Sequence, residues 1–380
     1  MKINPLIQLG MIGQSVWLDY IKRDLIASGE LRRLINEDGL RGMTSNPSIF
    51  EKAITGSQEY EKDIHDLTLK GKKVIEIYES LSQKDVGNAA DEFRRVYDET
   101  GGDDGFVSLE VNPHLAHDTE GTIAEARRFW SALDRPNILI KIPATKEGLS
   151  AIHTLISEGL NINVTLLFGV SRYREVIEAY LTGLEERLSL KKPLQHVRSV
   201  ASFFVSRIDS LVDPQIEKLI TKKGEQDDLA EETYGQVAII SAKKAYQIYR
   251  ENFGGSRFRR LAQNGAHAQK LLWASTGTKN PNYSDIKYID SLIGENTVNT
   301  IPIETMNAYR DHGDPRPRIE LDIYQANLIF QQLPKLGIDL DQVAQQLEEE
   351  GVRKFCEPFD KLLATLEKQR AKEEKTCRLE

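Results

Sequence analysis

Eight short runs rich in β-branched and aliphatic residues, each followed by a stretch with helical patterning, constrain this chain more than any other feature. They lie at Val16–Asp19, Gly42–Asn46, Phe106–Val111, Ile138–Pro143, Ile162–Phe168, Val197–Phe204, Leu271–Ser275 and Thr297–Pro302. A strand that reaches its successor through a helix pairs with it in parallel, and eight such units predict an α/β fold, a (β/α)8 TIM barrel. Ser48 with Glu51 and Thr122 with Glu125 have the spacing of capping boxes, which places helix starts there. The connections after the second and sixth runs are about 60 residues each, too long for one helix, so inserted helices are expected in both. Past Pro315-Arg316-Pro317 the pattern is helical only, with Asp339 expected as an N-cap and Phe359, Leu362, Leu363 and Leu366 on one apolar face. The chain therefore reads as a barrel over residues 1–320 and a C-terminal helical extension over 321–380, packed on the barrel. Residues 367–380, almost all charged, are expected to fray.

Side-chain parity within the strands separates a helix-facing surface from a lumenal one. In the third run Val107, Leu109 and Val111 alternate with Phe106, Ser108 and Glu110; in the fifth, Ile162, Val164 and Leu166 alternate with Asn163 and Thr165. The first run repeats the split, Val16 and Leu18 against Trp17 and Asp19. The all-apolar face has to meet the surrounding helices, so Asp19, Glu110, Asn163 and Thr165 are expected in the lumen, near the strand ends where barrel active sites are built.

The fourth run, Ile138-Leu139-Ile140-Lys141-Ile142-Pro143, carries a lysine inside an apolar strand. Facing the helices, that ammonium would be buried at a cost of several kcal/mol; facing the lumen it can pair with Asp19 or Glu110. Two readings of Lys141 stay open on pattern alone: a structural ion pair, and a nucleophile. Desolvation favours the neutral amine of a lysine, which can add to a carbonyl and form a Schiff base with a nearby carboxylate carrying protons.

Composition narrows the partners. With 40% hydrophobic and 28% charged residues the chain can bury a large core, and 50 Lys+Arg against 58 Asp+Glu give a net charge of −8. No global positive field draws it to nucleic acid or to an anionic membrane surface, so an anionic ligand has to be small and met locally. Two cysteines, Cys356 and Cys377, provide no disulfide framework and no multi-cysteine metal site, which fits a reducing cytoplasm. The first residues lack the apolar stretch of a signal peptide, and no apolar run approaches the ~20 residues of a membrane span.

Five ordered stretches resemble the transaldolase family, the Schiff-base-forming sugar-phosphate transferases of the pentose phosphate pathway. They are Thr44-Ser45-Asn46-Pro47-Ser48, Ser108-Leu109-Glu110-Val111, Ile140-Lys141-Ile142-Pro143-Ala144-Thr145, Asn161 to Phe168, and Ala201 to Arg207. The resemblance covers nearly the whole barrel and implies a lysine nucleophile at Lys141 that forms an imine with C2 of a ketose phosphate. It implies that Asp19 exchanges the C4 hydroxyl proton, that Glu110 and Thr165 hold a proton-relaying water, and that Asn46, Asn163 and Ser202 bind the dihydroxyacetone chain beside a wall at Phe204. Arg207 and the Ser275-Thr276-Gly277-Thr278-Lys279-Asn280 segment would meet the phosphate. Here the sequence departs from the family pattern, with Lys279 at altered spacing where an arginine is expected, so Ser275 and Lys279 are the weaker assignments. A protonated imine is its own electron sink, so neither metal nor cofactor is implied. Oligomeric state stays open, a homodimer included.

Other signals point away from further sites. His114 and His117 follow Pro113 with no third ligand at matching spacing and read as a surface pair. The GxGxxG and GxxxxGK[ST] patterns are absent. Two alternatives to a transferase remain: a fructose-6-phosphate aldolase-type lyase using the same lysine, and a non-catalytic phosphosugar-binding barrel.

Overall fold

In the computed structural model, which describes residues 4–220 and 227–377, eight parallel strands close into a barrel in chain order. They are β1 (Gln14–Asp19), β2 (Gly42–Thr44), β3 (Val107–Glu110), β4 (Ile138–Pro143), β5 (Ile162–Leu167), β6 (Ser199–Phe204), β7 (Lys270–Ala274) and β8 (Thr297–Ile301), with β8 returning to pair with β1. All eight expected runs are strands, Ile138–Pro143 without change and the others trimmed or extended by a residue or two at their ends. The two long connections hold the inserted helices: Pro47–Thr55, Glu61–Leu69 and Val74–Glu99 between β2 and β3, and Ser206–Ile220, Asp227–Thr233, Val237–Phe253 and Ser256–Ala262 between β6 and β7.

The helix starts differ from the sequence expectation. Asn46, not Ser48, caps Pro47–Thr55, accepting a hydrogen bond from the Ile49 amide at 3.0 Å, because Pro47 at the first helical position moves the start two residues upstream. Asp118, not Thr122, caps Thr119–Leu133 through the Gly121 amide. Glu125 instead reaches back to accept from the Asn112 amide at 2.5 Å and so ties down the loop after β3. Asp339 does cap the C-terminal helix, accepting from the amides of Asp341 and Gln342.

The lumen is filled in layers. Near the floor Trp17 is buried, donates its indole N–H to Asp104 at 2.8 Å and lies over Gly42, where a Cβ would come within 2.5 Å of the indole ring. Trp17 therefore closes the bottom of the barrel, below the level of Asp19. Strand β5 is regular only to Val164: its pairing with β6 shifts between Val164 and Leu167, and Leu166 adopts a left-handed conformation, φ 53°. The bulge turns Leu166 toward the C-terminal helix, Leu340–Cys377, where a Cβ at Gly351 would approach Leu166 Cδ2 to 2.9 Å. That helix packs against β5 and the helices that follow β2 and β6, with Phe359, Leu362 and Leu366 buried and Leu363 partly buried. It therefore lies across the C-terminal ends of the strands. Residues 367–377 continue the helix, and 378–380 lie outside the described residues.

Candidate active site

Register alone places most of the polar lumen. Cα pairing sets Glu110 beside Lys141 and Lys141 beside Asn163, so three adjacent strands present a carboxylate, an ammonium and an amide at one level. On the other side of β3, Asp19 pairs with Thr44 and Thr44 with Ser108. Parallel neighbours in register point alternate side chains to the same face, which is why the parity of the sequence carries over to the barrel.

Lys141 is buried, 4% exposed, with Nζ donating to the Ser45 carbonyl at 3.2 Å and lying 3.6 Å from Glu110 Oε2, an ion-pair distance longer than a hydrogen bond. Burial pushes the Glu110 carboxyl up to about 7, opposed by Lys141, while the Asp19 charge adds to the rise. Neither Glu110 oxygen has a protein hydrogen-bond partner, and neither has Thr165 Oγ1, which leaves buried hydrogen-bonding capacity at the heart of the lumen. Asp19 accepts from the Thr44 hydroxyl at 2.7 Å, and Thr44 is itself 2.7 Å from Thr300 Oγ1. Desolvation raises the Asp19 carboxyl above its usual range; Lys141 and the Thr44 bond oppose it, followed by Lys279 and Arg207.

The amide of Asn163 is oriented from both ends: Nδ2 donates to Ser108 Oγ at 3.0 Å and Oδ1 accepts from Ser202 Oγ at 2.7 Å. Lys141, Asp19, Glu110, Thr165, Asn163 and Ser202 thus share one polar lumen. Asn46 stands at its edge with its oxygen committed to capping. Phe204 packs against Phe168, ring centroids 5.0 Å apart, and the Arg207 guanidinium sits 5.6 Å from the Phe204 centroid. Arg207 Nη1 is buried without a protein partner. Ser275, in a left-handed conformation (φ 55°), sits 3.1 Å from Ser206 across their hydroxyls. Lys279 is exposed, on the wall of a cavity it shares with Arg207, and its charge is felt by Asp19.

Sequence reading passed over Thr44, Thr300 and Ser45. Thr300 takes its place from the register of β8 with β1, because the run Thr297-Val298-Asn299-Thr300-Ile301 mixes polar and apolar residues on both faces. Ser45 acts through its carbonyl, which no side-chain pattern reveals. His114 and His117 each meet a different carboxylate, Asp360 at 2.7 Å and Glu147 at 3.2 Å. Among the described residues no group of three His, Cys, Asp or Glu side chains is placed to hold a metal ion, and no helix is long and apolar enough to cross a membrane.

A closed parallel barrel with a buried lysine beside a carboxylate, near the C-terminal ends of its strands, has the architecture of a barrel enzyme's active site. Residues 16–366 match the transaldolase/fructose-6-phosphate aldolase family, and the chain belongs to it. Relatives named Transaldolase include one from Trichodesmium erythraeum, 48% identical over 97% of this chain and 98% of the relative. Another, from Thiobacillus denitrificans, is 44% identical over 93% and 97%, and a Transaldolase 1 from Streptomyces avermitilis is 47% identical over 93% and 92%.

Proposed function

We propose that this chain is a transaldolase, a transferase that moves a dihydroxyacetone unit from a ketose phosphate such as fructose 6-phosphate to an aldose phosphate such as erythrose 4-phosphate. The observation that carries the reading is the Lys141 amine, buried in the lumen 3.6 Å from Glu110 and within the field of Asp19. The relatives' names support the transferase over the lyase, and family membership supports an enzyme over a non-catalytic barrel.

Lys141 Nζ adds to the C2 carbonyl, the carbonyl oxygen leaves as water, and a protonated imine forms. Asp19 accepts the C4 hydroxyl proton as the C3–C4 bond breaks; the bond's electron pair passes into the imine, and the aldose phosphate departs. Addition to the acceptor reverses these steps, with Asp19 returning its proton. Glu110, protonated and ionised in comparable amounts near neutral pH, relays protons with Thr165 through a water during imine formation and hydrolysis, a role supported by their unpartnered oxygens. Asn46, Asn163 and Ser202 hold the three-carbon unit, Phe204 walls it, and Arg207, Ser275 and Lys279 meet phosphate. Residues 1–320 then form the catalytic barrel and 321–380 its extension. Work on sugar phosphates in the cytoplasm, within the pentose phosphate pathway, completes the reading.

The test is borohydride reduction with fructose 6-phosphate followed by peptide mass spectrometry. A three-carbon adduct on Lys141, absent from Lys141→Ala, is expected; an unmodified Lys141 overturns the proposal. Asp19→Ala should still trap an adduct while turnover falls about 10²–10⁴-fold. Repeated release of glyceraldehyde 3-phosphate without an acceptor aldose would identify a lyase instead.

A further inference from the structure

The C-terminal helix contributes to a cavity that the barrel begins. Arg207 and Ser210 of the helix after β6, Lys279 of the segment after β7, and Leu347, Glu350 and Lys354 of the C-terminal helix line one space of about 390 Å³. Three cations thus converge on it from three separate parts of the chain. Glu350 holds Lys354 one helical turn away at 2.9 Å and also faces Arg207 closely enough to favour its charged form. Arg207 Nη1, on the same wall, is buried with no protein partner.

Charge decides what this space accepts. Three cations and one carboxylate leave a local charge of +2, in a protein whose net charge is −8. A phosphate monoester carries about −1.5 to −2 at pH 7, so it matches the site, whereas a carboxylate would leave a cation uncompensated. Without an anion, Glu350 occupies Lys354; an entering phosphate competes for that ammonium, which needs only a side-chain rotation to turn from one anion to the other.

We propose that Lys354, carried on the C-terminal helix, is a third cation for the phosphoryl group of the sugar phosphate, with Glu350 as its resting partner and competitor. The inference rests on the phosphate reading of Arg207 and extends it to a part of the chain outside the barrel. The extension thereby becomes a determinant of substrate affinity as well as a packing element.

The experiment measures KM for erythrose 4-phosphate and competitive inhibition by inorganic phosphate in the full-length enzyme, with unphosphorylated D-glyceraldehyde as a second acceptor. Lys354→Ala should raise KM and the phosphate inhibition constant about fivefold, the scale of an exposed ion pair, while the KM for D-glyceraldehyde, measured at saturating fructose 6-phosphate, does not move. Lys354→Arg should restore both constants. Glu350→Gln, which removes a negative charge beside both Lys354 and Arg207, should move them the opposite way, to tighter binding, and Lys354→Ala in that background should still weaken phosphate; were Lys354 only the partner of Glu350, the second substitution would change nothing, and that result overturns the proposal. Arg207→Ala separates this inference from its foundation. If it weakens phosphate while Lys354→Ala does not, the helix is no part of the site and only this proposal falls; if neither substitution matters, the phosphate lies elsewhere and both readings fall.

Discussion

Burial holds the Glu110 carboxyl near pH 7 despite a neighbouring ammonium, and this has a consequence for stability. In the unfolded chain that carboxyl ionises near 4.5, so between about 4.5 and 7 the folded protein keeps a proton that the unfolded chain releases. Its contribution therefore falls as pH rises through that window. Glu110→Gln removes the titration: whatever fixed cost follows from unpairing Lys141, the variant's thermal midpoint should gain on the wild type as pH is raised from about 5 to 7. A constant difference across that range would refute the assignment. Asp19 offers a second residue-scale test. The Thr44 hydroxyl stabilises its carboxylate, so Thr44→Val should raise the Asp19 pKa further and move the acid limb of kcat to higher pH. Imine trapping at Lys141 should survive, which distinguishes a positioning role for Thr44 from general damage to the lumen.

At the scale of elements, the end of β5 and the C-terminal helix depend on each other. The bulge after Val164 and the left-handed Leu166 cost backbone energy, of order 1–2 kcal/mol for such a residue, and are sustained by the contact of Leu166 with the helix at Gly351. Glycine is ordinarily a poor helix residue, yet a larger side chain here would have to displace Leu166, next to Thr165 of the lumen. Gly351→Val should lower stability by about 1–3 kcal/mol in urea unfolding, as overpacking does elsewhere. A neutral effect would mean that the helix can rise from the barrel without cost. The strands themselves were legible because alternating runs such as Val107-Ser108-Leu109-Glu110 state both element and orientation. The bulge was not, since Ile162 to Leu166 alternates without interruption and nothing local marks where the pairing slips. Two helix starts, those after β2 and β3, were misread for a local reason: several oxygen-bearing residues lie near each start, and the loop geometry selects which one reaches a free amide.

For the whole molecule, the C-terminal helix spans the mouth of the barrel and is held near its start and at its middle by different chemistry. Near its start Asp339 caps it and Leu347 reaches the Arg207 cavity; farther along, Phe359 packs edge-on against Tyr78, centroids 5.1 Å apart, and Lys361 meets Glu51 at 2.7 Å. Phe359 is 1% exposed, so Phe359→Ala should cost about 3–5 kcal/mol by denaturant unfolding and loosen the helix from the barrel. A loss below about 1 kcal/mol would show that the helix is not integral to the fold. The sequence by itself determined the number of strands, the faces that β1, β3, β4 and β5 present to the lumen, and the identity of the amine and carboxylates there, because strand periodicity and the cost of burying charge act locally. Only the tertiary structure decided which oxygens keep unmet hydrogen-bonding capacity, how closely Glu110 approaches Lys141, and that a helix some 200 residues from Lys141 borders the Arg207 cavity. Those depend on register, on a bulge and on long-range packing, none of which leaves a periodic mark in the chain.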